Sequence, residues 1–365
     1  MFQLRSIDWL LLISVFTLFV LGIAAIYSVE LSQAAGTFLN VKKQLFALGI
    51  ALVLCTVVAL SNYQLLRNYS LILYIIGVAL LIGVLIFGQL IRGAQGWFAL
   101  GPISFQPVEF MKVALIIALA TYFSSHVRRP LGFKGLVGSM LIMLVPFTLV
   151  LLQPDLGSAS VLLGIWFFMA LFARMRWHHI VGLCGIGAIV SIVSWVFILA
   201  DYQKARILTF LDPTYDPLGQ GYNVSQAIIA IGSGGLFGSG LGFGTQSHLK
   251  FLPESQTDFI FAVIAEELGF VGVMVVLSAF ALLFARVLRL VIRATDDFTG
   301  YLLLGIASVF FLQLLVNVGM NLGLFPVTGI GLPFVSYGGS SLLFSLLLIA
   351  IVESIASRNR RVRQS

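Results

Sequence analysis

The stretch PESQTDFIFAVIAEELG, residues 253 to 269, carries Asp258 into an apolar run and follows it with Glu266 and Glu267. A second stretch, QPVEFMK, sets Glu109 three residues before Lys112, so the two share a helix face. QPDLG places Asp155 at the end of another apolar run, and Lys42-Lys43 stands at the head of a fourth. Charges inside apolar spans are costly and by default mark function or an internal pair. A carboxylate there can take a proton from an attacking hydroxyl, and a lysine can neutralise an anion. Plainer readings stand beside these. Glu109 and Lys112 also read as a self-neutralising pair. Thr257 and Asp258 also read as the cap and first turn of a helix, where acids are favoured. Glu266 and Glu267 lie deeper and read as partners for other spans.

The elements that must position these groups are membrane spans. Hydrophobic residues make up 60% of the 365 and charged residues 10%, against about 45–50% and about 25% in soluble domains. Apolar runs of about 20 residues, the length that crosses a hydrocarbon core, recur throughout. They predict helices over about 9–28, 44–62, 71–90, 107–125, 135–153, 157–173, 180–200, 259–285, 301–320 and 340–356. The first is too long for a signal-peptide core. The expected fold is an all-α polytopic membrane protein of about ten spans, one membrane domain over 1–365. Cys55 and Cys184 fall inside apolar runs and read as small hydrophobes.

A net charge of +7 could serve nucleic acid, but its placement follows the membrane instead. Of the 21 Lys and Arg, Lys42, Lys43, Arg92, Lys204, Arg206 and Lys250 fall on one side and Lys112 inside a span. All the others fall on the opposite side, which the positive-inside rule makes cytoplasmic together with both termini. The basic C-terminal RNRRVR reads as an anchor for anionic membrane lipids.

One long loop, 201–258 between the seventh and eighth spans, is then extracytoplasmic. Its GSGGLFGSGLGFG is not a dinucleotide fingerprint, because Phe237 and Phe243 stand where a third glycine is needed. It reads as a tightly turned loop, or as backbone N–H groups around an anionic or sugar-bearing ligand. The ninth span carries Gln313, Asn317 and Asn321 at four-residue spacing, a polar stripe on one face. Within the spans, Glu353 is the one charge expected near the cytoplasmic end. A set this one-sided predicts an outward-facing cavity for a polar, anionic substrate.

Several long blocks in order carry a further signal: RGAQGWFALGPISFQPVEFMK, QPDLG, DYQKARILTFLDPTYDPLGQGYNVSQ, FLPESQTDFIFAVIAEELG and GIGLPFVSYGGSS. Together they resemble the SEDS family (shape, elongation, division and sporulation) over essentially the whole chain, most nearly its elongation member. The resemblance implies a peptidoglycan glycosyltransferase in the bacterial cytoplasmic membrane. It would polymerise lipid II at the outer face during cell elongation, by a single displacement with inversion. It also implies a class B penicillin-binding protein as partner. Carried over by position, Asp258 is the essential aspartate and candidate base. Glu109, Lys112 and Asp155 belong to the substrate site, and Lys43 matches its outer basic residue. Lys43, Lys112 and Arg206 would neutralise the departing pyrophosphate. Val108 stands where the family often has serine. No D-x-D metal motif occurs, Asp212 and Asp216 being four apart. Asp258 and Glu266 are the candidate ligands should a divalent cation such as Mg2+ take part. The alternatives are a lipid II flippase and a non-catalytic scaffold of the elongation machinery.

Overall fold

The computed structural model describes residues 7–31, 38–91, 94–100, 103–126, 131–198, 201–212, 219–249 and 251–364. Among them, nine helices have the length and apolar composition to cross a membrane. They are α1 (Trp9–Leu31), α2 (Leu39–Leu60), α4 (Ser70–Phe87), α5 (Pro107–Ser124), α6 (Phe133–Leu152), α8 (Trp177–Val193, extended by a π-helical turn so that the span runs Trp177–Phe197), α12 (Ile260–Ile292), α13 (Asp297–Asn321) and α14 (Gly339–Gln364). The tenth expected span is α7 (Leu156–Phe172), a shorter apolar helix. A short α3 (Gln64–Asn68) links α2 to α4. All ten expected runs are therefore helical, nine of them long and apolar enough to cross a membrane, and the chain is a multi-pass membrane protein.

Two features depart from a plain helix-and-loop reading. A three-stranded antiparallel sheet, β1 (Gln89–Ile91), β2 (Ala94–Leu100) and β3 (Ile103–Phe105), follows α4. The third span thus ends at Phe87 instead of residue 90. The Gly-containing, aromatic segment QGWFAL suits a paired strand once the chain leaves the apolar run. The long loop is also not irregular throughout, since it contains α9 (Asp201–Leu211), α10 (Gln220–Ser233) and α11 (Thr245–His248). Helix α10 packs on α12 and α13.

Helix α5 lies at the centre, packed by α4, α6, α7, α13 and α14. Gln106 precedes it, and Pro107 takes its first turn, where the missing N–H costs nothing. Around it, α2 pairs with α14 and α1 with α12. Apolar packing continues through Met111, Leu115, Ile116, Phe123, Leu302 and Ile306, each at most 1% exposed. In lipid such contacts hold helices together by close van der Waals fit, not by escape from water.

Two ends of the bundle can be told apart by their charges. At one end Arg286 grips the Asp8 carboxylate, Nη2 to Oδ2 2.6 Å and Nε to Oδ2 3.0 Å. The Asp8 N–H donates to Glu353 Oε1 at 2.5 Å. The sequence reading placed Glu353 near this end and missed Asp8, just before α1, and through it Arg286 of α12. At the other end lie the starts of α5, α7, α12 and α14.

Helix α12 is broken where the acidic pair sits. Gly269 has φ 64° and ψ −162°, outside helical space. The glycine cluster serves this break: Ser239 and Gly240 N–H donate to the carbonyls of Glu266 and Glu267 at 3.0 Å each. Phe270 and Val271 N–H return bonds to Gly235 and Leu236. Gly238 has φ +77°, and a Cβ there would overlap the Glu267 carbonyl.

Candidate active site

Helix starts deliver the polar groups to one cavity of about 130 Å³. Glu109 and Lys112 enter from α5, Asp155 and Ser158 from α7, and Thr257 and Asp258 from the segment before α12. Gln313 enters from α13. The 329–338 segment closes the wall with Gly329, Ser336 and Tyr337, and β2 adds Trp97. Four of the charged residues singled out in sequence, separated by up to 149 positions, thus line one space. Lys43 lines an adjoining cavity of about 490 Å³ between α2 and α14, with Lys42, Phe46, Ile50, Leu343 and Phe344. Tyr337 belongs to both walls, so the charged cavity and the more apolar one meet there.

Each charge has a definite setting. Lys112 Nζ donates to Glu109 Oε1 at 2.7 Å, and both side chains are nearly enclosed. The self-neutralising pair is therefore formed, and both of its residues also line the cavity. Asp155 caps α7, its Oδ1 accepting from Ser158 N–H at 2.9 Å and its Oδ2 from Ser158 Oγ at 2.7 Å. The N-cap position of α12 belongs to Phe259, one residue after Asp258, and the Phe259 side chain makes no cap bond. Asp258 is half-buried at the cavity wall. A Cβ added to Gly329 would stand 3.8 Å from its Oδ2, and the φ of +76° at Gly329 favours glycine.

Glu266 and Glu267 stand apart from this cavity. The Glu266 carboxylate accepts from Gln246 N–H at 2.7 Å and Ser247 N–H at 3.1 Å. The backbone N–H groups of the glycine-rich region and its continuation thus bind groups of α12 itself. Glu267 accepts from Ser28 Oγ of α1 at 2.5 Å and faces His248 Nε2 at 3.6 Å. Both glutamates bind α11, and Glu267 also ties the broken helix to α1. The Arg206 side chain, Asp216, Arg92 and Lys250 lie outside the described residues. For a divalent cation, the described cavity offers Asp258 with Asp155 and Glu109. Ser158 occupies both oxygens of Asp155, and Lys112 one oxygen of Glu109. No group of three or more such ligands is assembled among the described residues.

Sequence reasoning missed most of the cavity's neutral lining. Ser336, Tyr337 and Ser341 come from the SYGGSS run that separates two apolar spans, a polar interruption that was a readable signal. Trp97 had no such signal, because only the sheet turns it inward.

Comparison with known proteins gives one answer. The FtsW/RodA/SpoVE family model, described as "Cell cycle protein", matches residues 8–361. Stage V sporulation protein E of Bacillus subtilis is 38% identical over 366 residues, spanning 97% of this chain and 98% of that protein. The peptidoglycan glycosyltransferase MrdB of Escherichia coli is 38% identical over 325 residues, spanning 89% and 87%. A solved structure described as "Structural coordination of polymerization and crosslinking by a peptidoglycan synthase complex" superposes with TM-score 0.82. It is 34% identical and is covered over 98% of its chain and 97% of this one. The rod shape determining protein RodA of Thermus thermophilus superposes with TM-score 0.72 at 32% identity, over 97% of each chain. A match over nearly the whole length, on the same spans that gather the charged cavity, places this chain in the FtsW/RodA/SpoVE family.

Proposed function

We propose that this protein is a peptidoglycan glycosyltransferase that polymerises lipid II into glycan strands at the outer face of the bacterial cytoplasmic membrane. The observation that carries this is the convergence of Asp258, Asp155 and the Glu109–Lys112 pair in one cavity that adjoins the groove holding Lys43. A lipid-linked sugar diphosphate needs such a pair of environments, polar for the sugars and apolar for the chain. The names of its relatives support the same activity. The placement of Lys and Arg supports an extracytoplasmic cavity and cytoplasmic termini.

In the proposed reaction the C4 hydroxyl of an incoming lipid II attacks the anomeric carbon of the glycan strand. The new C–O bond forms as the bond to the α-linked pyrophosphate breaks, giving a β-linkage. Asp258 takes the hydroxyl proton. The departing pyrophosphate keeps the electron pair, and Lys43 at the groove and Lys112 at the cavity floor offset its charge. Glu109 fixes the Lys112 ammonium, and Asp155 orients the acceptor while capping α7. Arg206 is a third candidate cation. Glu266 remains a candidate ligand for a divalent ion only if α11 releases it. A class B penicillin-binding protein is the proposed partner, because a glycan polymer requires a transpeptidase to become a wall. The described match to a complex of polymerization and crosslinking supports that pairing. The elongation role is proposed on the likeness to RodA.

The test is glycan polymer formed from purified lipid II by wild type and by Asp258→Asn, each bound to its transpeptidase. Moenomycin silences contaminating polymerases of the unrelated class A type. Polymer from wild type and none from a folded Asp258→Asn is expected. Equal polymer from both would return Asp258 to a structural part, and none from either would favour lipid II translocation, read next in liposomes.

A further inference from the structure

The polar stripe on α13 is divided between two tasks. Gln313 lines the cavity. Asn317 and Asn321 are fully buried and line no part of it. Both direct Nδ2 at a single atom, the main-chain carbonyl oxygen of Asp258, each at 3.0 Å. Asn321 also accepts the Ala262 N–H on its Oδ1 at 3.2 Å. Residues 258 and 262 are an i, i+4 pair, the two groups that a helix turn would join directly. The Asn321 amide therefore bridges the first turn of α12, donating to one side and accepting from the other. The grip continues upstream. Ser336 Oγ donates to the Thr257 carbonyl at 2.6 Å, and Tyr337 N–H to the Gln256 carbonyl at 2.8 Å. Asn317 Nδ2 additionally donates to the Ile330 carbonyl at 2.8 Å, tying α13 to the cavity wall.

We propose that Asn321, assisted by Asn317, is a positioning residue for the transfer reaction, fixing the peptide from which the Asp258 carboxylate enters the cavity. This rests on the glycosyltransferase reading. Asp258 lies two residues before the first residue of α12. A backbone clamp from α13 and the 329–338 segment holds its peptide from outside that helix. Catalytic groups displaced by about 1 Å lose on the order of 100-fold in rate. Because neither asparagine reaches the cavity, loosening the clamp changes turnover and leaves substrate binding in place.

The experiment compares wild type, Asn321→Ala, Asn317→Ala and the double variant, each as the complex with its transpeptidase. It reads kcat and KM for lipid II polymerisation, lipid II binding stoichiometry and unfolding temperature. Asn321→Ala is expected to lower kcat about 10–100-fold with KM within about 3-fold. Asn317→Ala is expected to lose less, because Asn321 still bridges the Asp258 carbonyl to the Ala262 N–H. Binding stoichiometry stays at the wild-type value, which separates positioning from a smaller folded fraction. A kcat loss matched by an equal fall in stoichiometry would assign the asparagines to folding alone. Wild-type kcat in the double variant would overturn the proposal outright. A wild type that forms no polymer overturns the glycosyltransferase reading first, and the positioning role with it.

Discussion

Neutralising the Glu109–Lys112 pair separates what its charges do for the fold from what they do for the reaction. The ions are 2.7 Å apart, with side chains 11% and 5% exposed. At an effective dielectric near 20 their attraction is about 6 kcal/mol. Opposing it is a desolvation cost of several kcal/mol for each ion. The pair as a whole therefore adds little over apolar groups of similar size, whereas an orphaned partner costs about 3–5 kcal/mol. Glu109→Gln and Lys112→Met should each lower the unfolding temperature in detergent, and the double variant should recover most of that loss. Activity should not follow stability. Loss of a cation that faces developing negative charge costs about 100–1000-fold in turnover, so the stable double variant should stay near the floor of the lipid II assay. A double variant that polymerises like wild type would confine the pair to packing. One less stable than either single variant would refute the electrostatic argument itself.

Two further substitutions test other parts of the arrangement. Asp155→Asn keeps a good N-cap for α7, since Asn and Asp cap about equally. Unfolding temperature should hold while polymerisation reports whether the carboxylate charge is needed, and a loss of stability would contradict the cap geometry. Gly238→Ala forces a left-handed residue against the Glu267 carbonyl. It should destabilise by more than the roughly 1–2 kcal/mol of the backbone conformation alone. Gly240→Ala, at φ +94° with its nearest neighbour 3.5 Å away, should cost less. Equal losses measured by thermal unfolding would remove the close-contact argument.

Much of this protein is legible without coordinates because lipid imposes a simple rule. Each backbone polar group in the hydrocarbon must find a partner within its own segment, so long apolar runs become helices. That rule alone yields the ten apolar helices and their order, nine of them long enough to span. The cost of a buried charge then marks Glu109, Lys112, Asp155 and Asp258 before any contact is known. What the sequence could not decide is how each polar group is satisfied, because partners come from distant segments. The same local pattern, an acid near a helix start, becomes a cap at Asp155 and a cavity-wall carboxylate at Asp258. Glu266 lies two turns beyond Asp258 on paper, yet the break at Gly269 and the glycine segment give it to α11. Asn317 and Asn321 read as a stripe facing substrate, and tertiary packing turns them onto the backbone of Asp258 instead. Composition and hydrophobic length set the spans. Which carboxylate faces a ligand and which faces a neighbouring N–H depends on long-range hydrogen bonds that only the packed bundle brings into reach.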